Sequence, residues 1–351
     1  MAEKLWRTCR LMINGLAHKV QYSQEAIDLL FLPFLRRMTS LQQRIGQRIL
    51  VYLAAPPGTG KSTLALLLEK MSQAGEGIEP VQAVGLDGFH YHADYIASHF
   101  VERDGKQVPM ATVKGCPESF DVNRLREKLQ AVKHQNIRWP VYDRRRHDVV
   151  DDVITIRKNI VLLEGNWLLL RDDEWQDIYR FADYTLLIRA EAEDLRERLI
   201  QRKMRGGISQ REAERFYEMS DRLNVERVLE DSWLAQETWQ MLPDGDYVLQ
   251  PDAPKPIQMV NRAALWKKPD VRRDEDDIMI DSIQRQLAAY RAQGGSYAEG
   301  YTEGLAAARK EILRGLYNNG RMSSKELLST FALEPEDLAE ILMGKDALPQ
   351  K

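Results

Sequence analysis

The sequence predicts an α/β fold built on a parallel sheet covered by helices on both faces, with a β-hairpin and helix added at the N-terminus and a small helical module at the C-terminus. Three observations carry that prediction. Short apolar runs at Ile49–Ala54, Val81–Leu86, Ile160–Leu163 and Tyr184–Ile188 are separated by stretches of helical periodicity, the order that produces parallel strands with crossover helices. The run at 49–54 passes through a glycine-rich loop directly into a leucine-rich helix. Beyond Gln250 the chain turns Pro-rich and then charged, and the strand and helix alternation stops.

In chain order, Cys9 to Ser23 alternates apolar and polar residues on either side of Asn14-Gly15, a pair that accepts the positive φ of a tight hairpin turn. Ser23 suits the cap of a helix marked by Ile27, Leu30, Phe31 and Phe34, and Pro33 is expected to kink or end that helix. Residues 1–47 are thus an N-terminal extension and 48–250 the sheet domain, while 251–277 is an exposed linker and 278–351 a helical module. In that module Ile280, Ile283, Leu287 and Tyr290, then Leu305, Ile312 and Leu316, recur at helical spacing across Gly294-Gly295. Ser323 to Glu326 forms a capping-box pattern and Pro335 suits the first turn of a fourth helix.

Composition narrows the partners. The 351 residues are 44% hydrophobic and 29% charged with a formal net charge of -3, so no overall basic field exists to hold a nucleic acid. Two cysteines, Cys9 and Cys116, make no disulfide framework, and no paired Cys/His spacing suggests zinc. Met1 to Val20 lacks the apolar block of a signal peptide and no stretch approaches a membrane span. The expectation is a cytoplasmic protein without a membrane partner.

The loop Ala55-Pro56-Pro57-Gly58-Thr59-Gly60-Lys61-Ser62-Thr63 stands between a strand and a helix. In that context Pro57, Gly58, Thr59, Gly60, Lys61, Ser62 and Thr63 form an ATP site: backbone N–H groups wrap phosphate oxygens, Lys61 neutralises β/γ charge and the Ser62 hydroxyl holds Mg2+. The glycine usual at the first position is Ala55, which fits if φ stays negative there. Mechanical ATPases carrying such a loop need a later strand ending in paired Asp-Glu. Here Leu163 leads into Glu164 and Leu86 into Asp87, two lone carboxylates at separate strand ends.

Asp87-Gly88-Phe89-His90, Lys114 to Asp121, Pro140-Val141-Tyr142-Asp143 and Glu164 to Leu170 together resemble the motifs of the uridine kinase, bacterial pantothenate kinase and phosphoribulokinase group. Within it the chain resembles a bacterial nucleoside- or sugar-kinase-like, fructose transport system kinase-like branch, and the likeness spans roughly Leu11 to Leu249. The resemblance implies a P-loop NTPase three-layer sandwich. It also implies that Asp87 accepts the substrate hydroxyl proton, a role chemically open to a strand-end carboxylate; a magnesium ligand or an Asx turn are the alternatives for the same residue. Lys61 and Asp87 are expected to converge from adjoining strand tips. Glu164 is expected to support the metal, the alternative being a helix cap.

The segment of about 196–220 reads as a cationic lid. Arg198, Arg202 and Arg205 fall on neighbouring positions of one helix before a Gly206-Gly207 hinge, and in the resembling kinases lid arginines reach the phosphates; a solvated charged helix is the bland reading. Asp121, Tyr142 and His147 correspond by motif to substrate-contacting positions, Arg144 belongs to the polar cluster 144–147, and His90 and His92 line the same pocket or serve structure. Asp143 to Asp148 departs from the nucleoside-kinase sequence, so uridine recognition is not inherited. Asp221 and Asn224 are second-tier candidates.

The reading is an ATP-dependent phosphotransferase acting on a hydroxyl of a sugar, nucleoside or pantothenate-like metabolite, with ATP and Mg2+. The alternative is an ATP-dependent regulatory switch or NTPase coupled to an oligomerisation or partner-binding module at the C-terminus. Glu336, Asp337 and Glu340 on the second helix of a possible helix-turn-helix would repel DNA phosphates and favour such docking.

Overall fold

Ile49–Ala54 (β3) is six apolar residues with no polar face, and every one of them is buried. Such a strand fits only the middle of a sheet covered on both sides. In a computed structural model that is where it lies. The structure describes residues 4–13, 16–103, 105–172, 174–250 and 313–314. The chain divides into two compact units, and every element below belongs to the one spanning Trp6–Lys267. The helices anticipated in 278–351 and the Asn14-Gly15 turn lie outside the described residues.

A hairpin of β1 (Trp6–Ile13) and β2 (Leu16–Ser23) opens the unit, with Trp6 opposite Ser23. Ser23 caps α1 (Gln24–Ala26), its hydroxyl accepting from the Ala26 N–H at 3.0 Å. Of the two expectations for Pro33, a kink or an end, the helix does not end there. A π-helical turn, Ile27–Phe31, precedes it, and α2 (Leu32–Ile45) carries Pro33 in its first turn, where the missing N–H is tolerated. After β3 come α3 (Lys61–Ala74), β4 (Val81–Gly85), α4 (Ala93–Ser98), the short hairpin β5 (Phe100–Arg103) and β6 (Lys106–Pro109), and α5 (Val122–Val132). A second hairpin, β7 (Arg138–Asp143) and β8 (Asp148–Thr155), precedes β9 (Ile160–Gly165) and β10 (Tyr184–Arg189). Helices α6 (Ala192–Arg205), α7 (Gln210–Phe216) and α8 (Arg222–Glu230) lead to β11 (Glu237–Met241) and β12 (Tyr247–Leu249).

The six-stranded sheet has the order β12-β11-β10-β3-β9-β4, all parallel except β12, which runs antiparallel to β11. Alternate residues of one strand serve opposite layers, as strand geometry requires. Ile49, Val51 and Leu53 join Ile160, Leu162, Leu186 and Ile188 under α2, α3 and α6. Leu50, Tyr52 and Ala54 join Val161, Leu163 and Leu187 under α5, Trp139 and the Trp167–Leu170 segment. The result is the expected three-layer α/β sandwich. Tyr22, Phe31 and Phe34 of the N-terminal elements pack on Trp239 and Tyr247 in the first of these layers. No helix among the described residues is long and apolar enough to cross a membrane.

Candidate active site

The carboxyl ends of β3, β9 and β4 supply the loops of the site, as open parallel sheets dictate. After β3 the backbone enters the left-handed region at Gly58 (φ 92°) and Gly60 (φ 82°), which side-chain-bearing residues avoid. A Cβ on Gly58 would also stand 3.2 Å from Leu199 Cγ. Among described residues other than glycine, positive φ occurs only at His147 and Asp152, so Ala55 keeps the ordinary backbone its substitution for glycine demands. The loop's carbonyls are tied down: Thr59 Oγ1 donates to Pro56 O at 2.9 Å, Arg198 Nε to Gly58 O at 2.9 Å and the Tyr247 hydroxyl to Thr59 O at 2.7 Å. No side chain caps α3, so its first-turn N–H groups remain available to an anion.

Ser62 Oγ donates to Glu164 Oε1 at 2.7 Å, because β9 lies beside β3 in register and sets Glu164 opposite Leu53. Burial lowers the pKa of Lys61, against which Glu164 and Asp87 both pull it upward. Burial raises the Glu164 carboxyl, with Lys61 opposing and Asp87 reinforcing the rise. Asp87 stands in a one-turn 3-10 helix after β4, half exposed, its carboxylate 3.9 Å from Arg144 Nη2. The tips bearing Lys61 and Asp87 do not adjoin as expected: β9 is inserted between β3 and β4. The two charges nevertheless feel each other across Glu164. Glycines permit this crowding, since a Cβ on Gly88 would meet Pro140 O at 2.3 Å and one on Gly165 would meet Leu86 Cβ at 2.5 Å.

A hydroxyl and a single carboxylate suit Mg2+, which takes few protein oxygens and fills its octahedron with water and phosphate. No cluster of three or more His, Cys, Asp or Glu able to hold a metal occurs among the described residues. Ser62 and Glu164, a hydroxyl and a carboxylate 2.7 Å apart, have the chemistry that ion takes.

On α6, Arg198 and Arg202 make contacts that Arg205 does not. Arg198 crosses to the phosphate loop through Gly58 O, and Arg202 lies within Coulombic reach of Asp87, Arg144 and Asp221. Arg205 is exposed in the last turn of α6, before Gly206 and the positive-φ Gly207. Asp221 is buried 3.5 Å from Lys203 Nζ, and burial raises its carboxyl. Asn224 is buried one turn further on.

The acceptor side is built from the chain between β4 and β9. His90 is 7% exposed and stacked on Phe120 at 3.8 Å; its Nδ1 faces Ser119 O at 3.2 Å, and burial lowers its pKa to about 4. The His90 ring stands beside Tyr142, whose ring centre is 5.7 Å away. Asp121 caps α5 by accepting from the Arg124 N–H at 2.9 Å. Tyr142 accepts a hydrogen bond from Lys114 Nζ at 2.9 Å, and the same ammonium donates to His147 O at 3.3 Å. Arg144 and His147 are exposed on the β7–β8 turn, and His92 is exposed between Asp148 and Asp151, 3.6 Å from each. Lys114 opens the Lys114–Asp121 motif but was given no role of its own from the sequence, and Tyr247 was not singled out, since no spacing marks it.

These features define a P-loop kinase. No protein-family model matches the chain. It is 40% identical over 238 residues to "Uncharacterized protein YggC" of Escherichia coli (strain K12), covering 68% of this chain and 97% of that protein. It is 31% identical over 181 residues to "Putative uridine kinase C227.14" of Schizosaccharomyces pombe, covering 50% of this chain and 74% of the relative. With a pantothenate kinase of Vibrio cholerae it shares 28% identity over 162 residues, 44% of this chain, and spans about half (49%) of that enzyme's length. The chain belongs to the P-loop kinase group of the uridine and pantothenate kinases and YggC, and is a kinase-type phosphotransferase by family.

Proposed function

We propose that the protein transfers the terminal phosphoryl group of ATP to a hydroxyl of a small metabolite, with Asp87 as the base. The observation that carries this reading is the Ser62–Glu164 hydrogen bond between the start of α3 and β9, with Asp87 after the next strand, β4, which joins a phosphate loop to a half-exposed carboxylate. Asp87 accepts the proton as the acceptor oxygen attacks the terminal phosphorus. The bond from that phosphorus to the bridging oxygen breaks, and its electron pair leaves with ADP. Lys61 and Arg202 offset charge spread over the transferring oxygens, and Arg198 holds the loop that grips them. Magnesium bound at Ser62 and Glu164 would neutralise phosphate charge. Closure of α6 and α7 about Gly206-Gly207 keeps water from competing as acceptor.

The reading is tested by following ADP release and acceptor phosphorylation with a panel of hydroxyl compounds. Asp87→Asn, which keeps the shape and removes the base, lowers turnover by about 10²- to 10⁴-fold. Its ATP affinity stays within about twofold of wild type, since the base acts on the acceptor. Full transfer by the variant, or a wild-type protein without affinity for ATP, sinks the proposal.

A further inference from the structure

The N-terminal extension reaches the phosphate loop through the last strand of the sheet. β2 ends on Tyr22 and Ser23, and β12 begins at Tyr247, directly after Asp246. These neighbours meet as two pairs. The Tyr22 and Tyr247 rings stack with centres 5.9 Å apart and planes 23° apart, and the Ser23 N–H donates to Asp246 Oδ1 at 3.3 Å. Phe31 packs edge-on against both rings, at 5.3 and 6.2 Å, and Tyr22, Asp246 and Tyr247 are all buried. Out of this cluster the Tyr247 hydroxyl donates to Thr59 O at 2.7 Å, and it would stand 3.3 Å from a Cβ placed on Gly60.

A trans peptide points its C=O and its N–H opposite ways, so the donor that fixes the Thr59 carbonyl also fixes the Gly60 N–H of the same peptide. Arg198 fixes the preceding peptide in the same manner through Gly58 O, and it lies within Coulombic reach of both tyrosines. An anion is bound by successive N–H groups already aimed at it, and a loop that samples other orientations binds only in proportion to its competent fraction. A hydroxyl can hold such a peptide only if its own ring is held, which stacking and enclosure achieve here. We propose that Tyr247 is a positioning residue for phosphoryl transfer and that the N-terminal hairpin acts through it: the Tyr22 ring and the Ser23–Asp246 bond hold the hydroxyl that sets the Thr59–Gly60 peptide for the phosphates of ATP. This inference rests on the ATP-dependent reading and gives the N-terminal extension a part in it.

The full chain is titrated calorimetrically with ATP and magnesium, and urea midpoints are recorded for the same preparations. Tyr247→Phe keeps the ring and removes the donor, and it weakens ATP binding by about tenfold, as a loop competent about a tenth of the time requires. Tyr184→Phe is the control for a purely structural loss. Tyr184 opens β10 at the end of the strands away from the site and donates to Glu237 Oε2 at 2.8 Å, so its removal lowers the urea midpoint while ATP affinity holds within about twofold. Tyr22→Met refills most of the volume without the stacked ring. It weakens ATP binding by about fivefold in the wild-type background and by less than about twofold in the Tyr247→Phe background, the non-additivity of residues that act through one another. Unchanged ATP affinity in Tyr247→Phe, an equal loss in Tyr184→Phe, or the same Tyr22→Met factor in both backgrounds overturns this proposal and leaves phosphotransfer standing. A wild-type chain without affinity for ATP overturns both.

Discussion

The proposed nucleotide side comes from one unbroken stretch, β3 through α3, whereas the proposed acceptor side gathers Asp87, His90, Tyr142 and Arg144 from segments dozens of residues apart. The first side works through backbone: positive-φ glycines, tethered carbonyls and an uncapped helix start. The second works through side chains held by packing of the β7–β8 hairpin on the turn after β4. A backbone site is robust to changes in its surroundings and indifferent to which acceptor arrives. A side-chain site can be retuned, but it depends on every long-range contact that assembles it.

The sharpest way to break this contrast is at Gly88, where the two long-range segments touch. A methyl group there would meet Pro140 O at 2.3 Å, Pro140 C at 2.5 Å and Val141 N at 2.9 Å, all backbone atoms that cannot swing away. Gly88→Ala lowers stability by about 3 kcal/mol or more, as overpacking against an unyielding neighbour does. Urea denaturation measures it, and acceptor KM rises more than ATP affinity falls in whatever fraction folds. A variant of wild-type stability would mean that the hairpin is not anchored there.

Local order and long-range assembly also divide what could be read from the residues alone. β3, its loop and α3 are legible because strand, glycines, Lys61 and Ser62 are contiguous, and Glu164 and Asp87 were reachable as polar residues ending apolar runs. The parallel sandwich followed from the same runs. The hairpins β5–β6 and β7–β8 were missed because β5 and β6 have four residues each and β7 and β8 do not alternate apolar with polar residues, so periodicity gives them little contrast with loop. Strands β11 and β12 were missed too, yet β12 supplies Tyr247, which ties the phosphate loop. The strand of Glu164 was expected beside β3 and lies there, but that it also separates β3 from β4 could not be read, and that is what puts Glu164 between Lys61 and Asp87. Pro33 misled because a π-helical turn absorbs the proline, an irregularity without a sequence mark.

His90 sharpens the comparison from the acceptor side, where packing rather than titration is its role. Its folded pKa is lowered to about 4 by burial, below the ordinary value of 6.5 expected once unfolded. Between those values the unfolded chain binds a proton that the folded chain refuses. The contribution is therefore at its most favourable above about pH 6.5 and is lost as pH falls toward about 4, by up to about 3 kcal/mol. Urea midpoints compared between wild type and His90→Gln at pH 5 to 6.5 isolate this slope from that of the carboxylates. The variant is the flatter of the two; parallel curves would place His90 in contact with water.

A smaller effect probes the nucleotide side, at the α6 residue that hydrogen-bonds the phosphate loop. Arg198 Nε donates to Gly58 O at 2.9 Å, and its guanidinium fills the space beside Gly60 and Gly245, where added Cβ atoms would stand 4.0 and 3.3 Å from its nitrogens. Removing that donor leaves the loop with its Thr59 and Tyr247 tethers, so the loop loosens without collapsing. Arg198→Met weakens ATP binding by about tenfold, or about 1.4 kcal/mol, the net worth of one hydrogen bond from a charged donor. Acceptor KM stays where it was. Calorimetric ATP titration and acceptor saturation curves on the same variant separate the two sides. A change confined to the acceptor would show that α6 serves the side-chain half of the cleft instead, and that the backbone half holds its shape without help from the lid.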